Sequence, residues 1–306
     1  MSDNTNTNVL AHVTAFITAA VWGSTFISTK ILIVAGLTPV QIFTLRFLLA
    51  YVLLVGLVWL FPKWGGGNGR FQWLSDSWRD EWLMVSLGVT GGSAYFFTEN
   101  EALRFGTATN VSLIVCSCPL FTTILFRLFV RGTRLSTQQA IGSVLAFLGM
   151  AAVVLNGHFV LRLSPLGDSL AFCACLCWAV YSLLMKYVAG RYSAFFITRK
   201  VFFYGLLTIL PYYLYDPHVP DVSMLLNPTV LFNLLFLGIV ASLVCFVVWN
   251  WALGQLGAMV VTNYVYVNPI TTIIFAAWIL NEKITPYFIM GSLMILVGLY
   301  LSNHKK

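Results

Sequence analysis

An all-α membrane protein of ten spanning helices, built as two inverted five-helix repeats, is the fold class this sequence predicts. Three observations predict it. The 306 residues are 59% hydrophobic and only 9% charged, where soluble domains carry roughly 25% charged residues, and the mean hydropathy is +0.86. Ten apolar segments come close to the ~20 residues that a spanning helix needs. Third, the chain repeats itself at half its own length. A shift of 150 positions lays Leu87 on Leu237, Gly88 on Gly238, Phe96 on Phe246 and Asn100 on Asn250. The same shift matches Ala102 with Ala252, Ala108 with Ala258, Pro119 with Pro269 and Thr122 with Thr272. Self-similarity at such a period marks a duplicated structural unit, here 1–155 and 156–306.

The segments run approximately 10–34, 39–61, 81–104, 107–130, 136–155, 166–188, 193–215, 229–253, 257–280 and 285–303. Ahead of the first lies Met1 to Val9, polar and without Lys or Arg. The segment that follows is too long for a signal-peptide core, so no secretory signal is expected. The link 62–80 contains Gly65-Gly66-Gly67-Asn68-Gly69. It lacks the Gly-Lys-Ser/Thr ending and the preceding strand of a phosphate loop, and reads as a flexible linker. The third segment holds Gly88 and Gly92, and the fifth Gly142 and Ala146. That small-xxx-small spacing lets helices approach closely, either within the chain or across a homodimer face. The sixth segment answers the first, with Trp178 eight residues before Lys186 as Trp22 is before Lys30. The seventh answers the second, with Thr198 and Lys200 for Thr44 and Arg46. The tenth answers the fifth through Gly291-Ser292 and Gly298, the counterparts of Gly142-Ser143 and Gly149.

Charge sets the expected orientation. With the N-terminus in the cytoplasm, twelve Lys and Arg residues fall on that side. Only Lys30, Arg104, Arg162 and Lys283 fall outside. The positive-inside rule therefore expects both termini in the cytoplasm of a cell that holds this multi-pass protein in its inner membrane. The net charge of +7 is topology rather than a nucleic-acid surface. Five helices per half is an odd number, so the second half enters from the opposite face and the halves form an inverted pair.

Two five-helix halves, Trp22-Gly23-Ser24-Thr25 in the first helix, Asn268-Pro269 in the ninth and Asn281-Glu282-Lys283 before Gly291-Ser292 and Gly298 resemble the drug/metabolite transporter superfamily. They are similar to its EamA-type branch in particular. One departure is Arg131-Gly132-Thr133, where such repeats usually carry a Gly-Glu pair. The resemblance implies a secondary carrier of small organic metabolites, often an amino-acid exporter. It also implies a central cavity lined by helices 1, 3, 4, 6, 8 and 9.

Several residues could carry transport. Pro119 and Pro269 sit near mid-span. Proline lacks an N–H and clashes with the carbonyl four residues back, at Val115 and Val265. Such carbonyls must find protein partners or a wet cavity, so the kinks serve either packing or gating. Asn268 adds a mid-membrane amide. Trp22 and Trp178 lie halfway through their spans rather than in the interfacial belt, and their indole N–H groups need partners that a hydrated cavity would supply. With Ser24, Tyr181, Asn263 and Tyr266 they make either an aromatic core or a small-molecule pocket. Lys30, Arg46, Glu99 and Glu101 gather in the outer part of the first half. There they form either an ion-pair cluster closing the outer mouth or a site for substrate charge or protons. His12, His158, His218 and His304 are scattered, and no catalytic grouping appears. An embedded enzyme and a non-transporting receptor or scaffold are the alternatives to a carrier. The six cysteines lie in apolar segments as small hydrophobic fillers. No metal site or cofactor is expected, and the partners are a small-molecule substrate and the lipid bilayer.

Overall fold

The computed structural model describes residues 2–61, 63, 72–105, 108–132, 136–155, 164–280 and 285–303, with side chains described for these except 2–6, 108–110 and 276–280. The glycine run 65–69, the Asn281-Glu282-Lys283 turn, His158, His304 and the junction at 156 lie outside the described residues. Among the described residues the main helical runs are, in order, α1 (Ser2–Val34), α2 (Pro39–Leu60), α3 (78–105), α4 (108–129), α5 (Thr137–Leu155), α6 (Pro165–Val188), α7 (Ala194–Ile209, with a further turn at Tyr212–Tyr215), α8 (Pro228–Leu256), α9 (258–280) and α10 (Pro286–Asn303). Among the described residues, nine helices are long and apolar enough to cross a membrane. The remaining run, α3, is continuous and about 42 Å long at a rise of about 1.5 Å per residue. Its two ends carry Arg79, Asp80, Glu81, Glu99, Glu101 and Arg104.

Why the helices begin where they do is local chemistry. Four of them open on a polar residue followed by proline. Thr38 caps α2 by accepting from the Gln41 N–H, while Gln41 Oε1 accepts from the Thr38 N–H at 2.9 Å. Ser164 caps α6 through Gly167, Asn227 caps α8 through Thr229, and Thr285 accepts from the Phe288 N–H at the start of α10. Proline there loses a donor that would be unpaired anyway and holds the helical φ, and the cap oxygen satisfies a neighbouring N–H.

Packing partners are preserved when each helix is exchanged for the one five places along. The main contacts include α3 with α6 and α8 with α1, α3 with α7 and α8 with α2, and α4 with α6 and α9 with α1. The pairs α2–α7 and α5–α10 map onto themselves. The α5–α10 pair forms the tightest seam. A Cβ at Gly149 would lie 2.6 Å from the Gly291 carbonyl, and one at Gly298 2.6 Å from the Gly142 carbonyl. The small-residue stripe of α5 is thus spent inside the chain, against α10, and that of α3 lies against Tyr204 and Gly205 of α7. The opposite faces of the seam helices are large and apolar, with Ile141, Val144 and Leu148 on α5 and Ile289, Leu293 and Val297 on α10 all exposed. Small residues inside and bulky ones outside is the reverse of a soluble protein, and suits a bundle whose surroundings are lipid.

Both described chain ends lie at the same end of the bundle. His12 of α1 bonds the Tyr264 hydroxyl near the start of α9 at 2.8 Å, and Asn263 of α9 donates to Asn303 of α10 at 3.2 Å.

Candidate functional site

At the centre of the bundle is a cavity of about 50 Å³. That is room for a few waters. Trp22, Thr25 and Phe26 of α1, Arg46 of α2, Tyr95, Phe96 and Glu99 of α3, Val115 and Cys118 of α4, Trp178 of α6, Phe246 of α8, and Val265 and Asn268 of α9 line it. These are the six helices that the resemblance implied, joined by α2. Four repeat-related pairs are among the lining residues: Trp22 and Trp178, Phe96 and Phe246, Val115 and Val265, Cys118 and Asn268. The charged groups come from the first half alone.

The aromatic part is close-packed. Trp22 meets Trp178 edge-on at 5.3 Å between ring centroids, Phe246 at 5.6 Å and Trp249 at 4.8 Å, while Tyr95 lies 5.1 Å from Trp178. Offset and edge-to-face contacts of this kind stabilise by about 0.5–1.5 kcal/mol each beyond area burial.

A feature invisible in the sequence shapes the polar part. Both α3 and α8 widen into π-type turns at repeat-related places, Val89–Ser93 and Phe236–Val244. A π turn shifts the hydrogen-bond register and re-aims backbone and side chain locally. In α8 the Ala241 carbonyl accepts from the Trp22 indole N–H at 2.9 Å, so the partner expected from a wet cavity is instead a backbone group. The next residue, Ser242, accepts from Arg46 Nε at 2.9 Å, and the Arg46 guanidinium lies 4.7 Å over the Phe96 ring. The indole N–H of Trp178 and the side-chain oxygen of Asn268 are buried without a hydrogen-bond partner.

The expected charge cluster is divided. Arg46 and Glu99 share the cavity, both buried, yet no ion pair joins them among the described residues. Glu99 accepts from the Tyr95 hydroxyl at 2.8 Å. Glu101 pairs with Arg104 along the same helix at 3.5 Å, and Lys30 is exposed. Distance along the helices explains the division: Lys30 sits a full turn from the end of α1, and Glu101 lies on a different face of α3 from Glu99. The other candidates scatter as well. Tyr181 is buried and bonds Asn250, whose amide donates to Thr198 at 3.0 Å. Asn263 turns to Ser302 of α10 at 2.6 Å, Tyr266 is buried with an unpartnered hydroxyl, and Ser24 bonds the Val21 carbonyl at 2.7 Å.

At the prolines the backbone resolves its own debt. Rather than leaving the Val265 carbonyl to the cavity, α9 tightens into a 3₁₀ turn over Asn263–Val267, and the Asn268 N–H takes that carbonyl. In α4 the helix is interrupted between Val115 and Cys118, where the Ser117 hydroxyl bonds the Ile114 carbonyl. Gly23 fits directly under Asn268; a Cβ there would strike the Asn268 carbonyl and the Thr271 hydroxyl. Thr272 closes the contact by donating to the Gly23 carbonyl at 2.6 Å.

Sequence reasoning missed a second polar group, at the end of the bundle that carries the chain ends. Asp80, in the first turn of α3, takes both Arg191 nitrogens at 3.0 and 2.7 Å and the Tyr192 hydroxyl at 2.8 Å. Glu81 pairs with Lys200 and the Tyr204 hydroxyl and accepts the Ser75 N–H at 2.7 Å. Among the described residues, these are the two ion pairs that join the first half to the second. The other end closes differently, through Leu32, Leu37, Ile42, Val230, Leu234 and Leu237, with Gln41 donating to the His218 carbonyl at 3.0 Å.

The model of the EamA-like transporter family matches residues 9–155 and again 165–304. A protein of Archaeoglobus fulgidus named as an uncharacterized transporter is 30% identical, covering 98% of this chain and 99% of that one. A protein of Escherichia coli named as a probable amino-acid metabolite efflux pump is 26% identical over 72% of this chain and 76% of its own. A solved crystal structure superposes with a TM-score of 0.75 at 18% identity, covering 95% of this chain and 96% of that one, which speaks to fold alone.

Proposed function

The chain belongs to the EamA-like transporter family, and from that premise we propose that it is a secondary transporter exporting a small organic metabolite, an amino acid or a related compound, across the cytoplasmic membrane by alternating access. The observation that carries this reading is the central cavity, lined by matched residues from both halves and by a buried arginine and glutamate. A packed structural core has no use for two separated charges, since each costs several kcal/mol to desolvate unless it is paired. In this reading residues 1–155 and 156–306 are the inverted repeats, both termini are cytoplasmic, the ionic contacts of Asp80 and Glu81 close the cytoplasmic mouth, and the leucine-rich cluster closes the outer one. Exchange of a labelled amino acid into proteoliposomes loaded with the unlabelled compound tests it. No exchange of any amino acid by folded protein would reject it.

Two substitutions probe the moving parts. Pro269→Ala restores an N–H that competes for the Val265 carbonyl and straightens the 3₁₀ turn beneath Asn268. Exchange is expected to fall several-fold while the protein stays folded; unchanged turnover would reject a gating role for this proline. Trp22→Phe keeps a ring against Trp178 and Phe246 but strands the Ala241 carbonyl, a loss of about 1–3 kcal/mol. Turnover is expected to drop about tenfold with only a small change in thermal midpoint. Equal losses of turnover and stability would make Trp22 a packing residue.

A further inference from the structure

We infer that the cavity selects a zwitterion, an α-amino acid with an uncharged side chain, whose carboxylate lies on Arg46 and whose ammonium lies on Glu99. This rests on the carrier reading above and adds which chemical groups the site grips. Among the described residues Arg46 makes one hydrogen bond, from Nε to Ser242, and lays a face on Phe96. Its terminal nitrogens are left for a ligand, in the fork geometry that suits a carboxylate. Glu99 spends one oxygen on Tyr95, which leaves the other as an acceptor. The two groups line one void and, among the described residues, form no ion pair with each other. A molecule carrying both complementary charges on neighbouring atoms fills that gap and removes both desolvation penalties together.

Two orphaned polar atoms on residues that line the same cavity support this independently. The Trp178 indole N–H is a buried donor with nothing to donate to, and the Asn268 side-chain oxygen a buried acceptor with nothing to accept from. Buried polar atoms normally find partners. One more donor and one more acceptor are what a second carboxylate oxygen and a second ammonium proton require. The rest of the lining, Trp22, Phe96 and Phe246, is aromatic. A third ligand charge would find no counter-ion, and the ring faces offset only part of the hydration it loses, whereas an apolar side chain would be buried favourably. Sequence position agrees with this division. The repeat counterparts of Arg46 and Glu99 are Lys200, which is committed to Glu81, and Trp249, which is packed on Trp22. The site is therefore built once, from the first half, and a ligand enters it in one orientation.

The test uses full-length protein in proteoliposomes. Exchange of labelled phenylalanine is competed by 3-phenylpropionate, which lacks the ammonium, by phenethylamine, which lacks the carboxylate, and by lysine. Wild type is expected to take phenylalanine at least tenfold better than each of the three. Glu99→Gln is expected to lose the preference over 3-phenylpropionate while keeping the preference over phenethylamine, and Arg46→Gln the converse. Wild type that exchanges phenylalanine and 3-phenylpropionate equally overturns the inference, as do variants whose preference ratios match wild type. Both results leave the carrier reading standing, because exchange itself persists. Wild type that exchanges no amino acid rejects the carrier reading and the inference together.

Discussion

Lys200→Met should open the cavity toward the end of the bundle that carries the chain ends. Lys200 is buried against Glu81, and the half-buried Tyr204 shares the carboxylate through its hydroxyl. Removing the ammonium leaves a buried carboxylate with only hydroxyl and backbone donors. Breaking one side of a buried ion pair costs about 3–5 kcal/mol, and the retained Tyr204 and Ser75 bonds put this case at the lower end. The conformation that holds the pair bears that cost and the conformation that exposes Glu81 to water does not. A differential of about 1.4 kcal/mol already shifts a conformational ratio tenfold. Labelling of Cys118, which lines the cavity, by an impermeant thiol reagent from that side is therefore expected to speed up at least tenfold. The thermal midpoint should fall for Lys200→Met and recover partly in the Glu81→Gln/Lys200→Met double variant, which leaves no charge stranded. A single variant that labels at the wild-type rate, or a double variant less stable than either single one, would show that this pair does not hold the mouth shut.

The largest loss of stability is expected from Gly298→Leu. A Cβ at this position would stand 2.5 Å from the Ala146 backbone nitrogen and 2.6 Å from the Gly142 carbonyl. Neither atom belongs to a flexible side-chain end, so α5 and α10 must separate over several turns. Overpacking in ordinary cores costs about 1–3 kcal/mol and occasionally more. A seam with backbone on both sides should lie beyond that range, and little monodisperse protein is expected on size-exclusion chromatography after detergent extraction. Val297→Leu is the matched control, one residue away on a half-exposed face, and should behave as wild type. Recovery of folded Gly298→Leu with an unchanged midpoint would contradict the close approach.

Much of the architecture was legible because lipid leaves a chain few options. Helix positions follow from hydropathy to within a few residues, since every backbone group in a membrane must be paired internally, except that the first helix starts at Ser2, eight residues ahead of the expected 10, because its polar first turns carry no apolar signal. The line of Leu87, Phe96 and Pro119 with Leu237, Phe246 and Pro269 gave the pairing of halves that the exchange of packing partners repeats. Trp22, Trp178, Arg46, Glu99 and Asn268 were singled out as site residues, and the structure brings them to one void. In the sequence Tyr181 shares a helix face with Trp178, and Asn263, Tyr266 and Ser24 share its depth. Neither fixes where a side chain ends: Tyr181 bonds Asn250, Asn263 bonds Ser302, Ser24 bonds the Val21 carbonyl of its own helix, and Tyr266 is buried outside the lining of the void. The π turns could not be anticipated, because Val89–Ser93 and Phe236–Val244 read as ordinary apolar helix, and the hydrogen-bond slip that re-aims Ala241 and Ser242 depends on neighbours far along the chain. Asp80 with Arg191 and Glu81 with Lys200 escaped for a similar reason. Residues 111 and 119 positions apart show no periodicity, and single charges near helix ends look like topology signals.

The glycine seam between α5 and α10 has a mechanical consequence. In the proposed alternating-access cycle, two rods whose backbones touch along their length are the pair expected to stay together, an axle about which the remaining helices would swing. Probes on Val144 and Val297 should then keep one separation throughout the cycle. Probes flanking Asp80 and Arg191 at one rim, and Leu37 and Val230 at the other, should trade distance like the two arms of a balance.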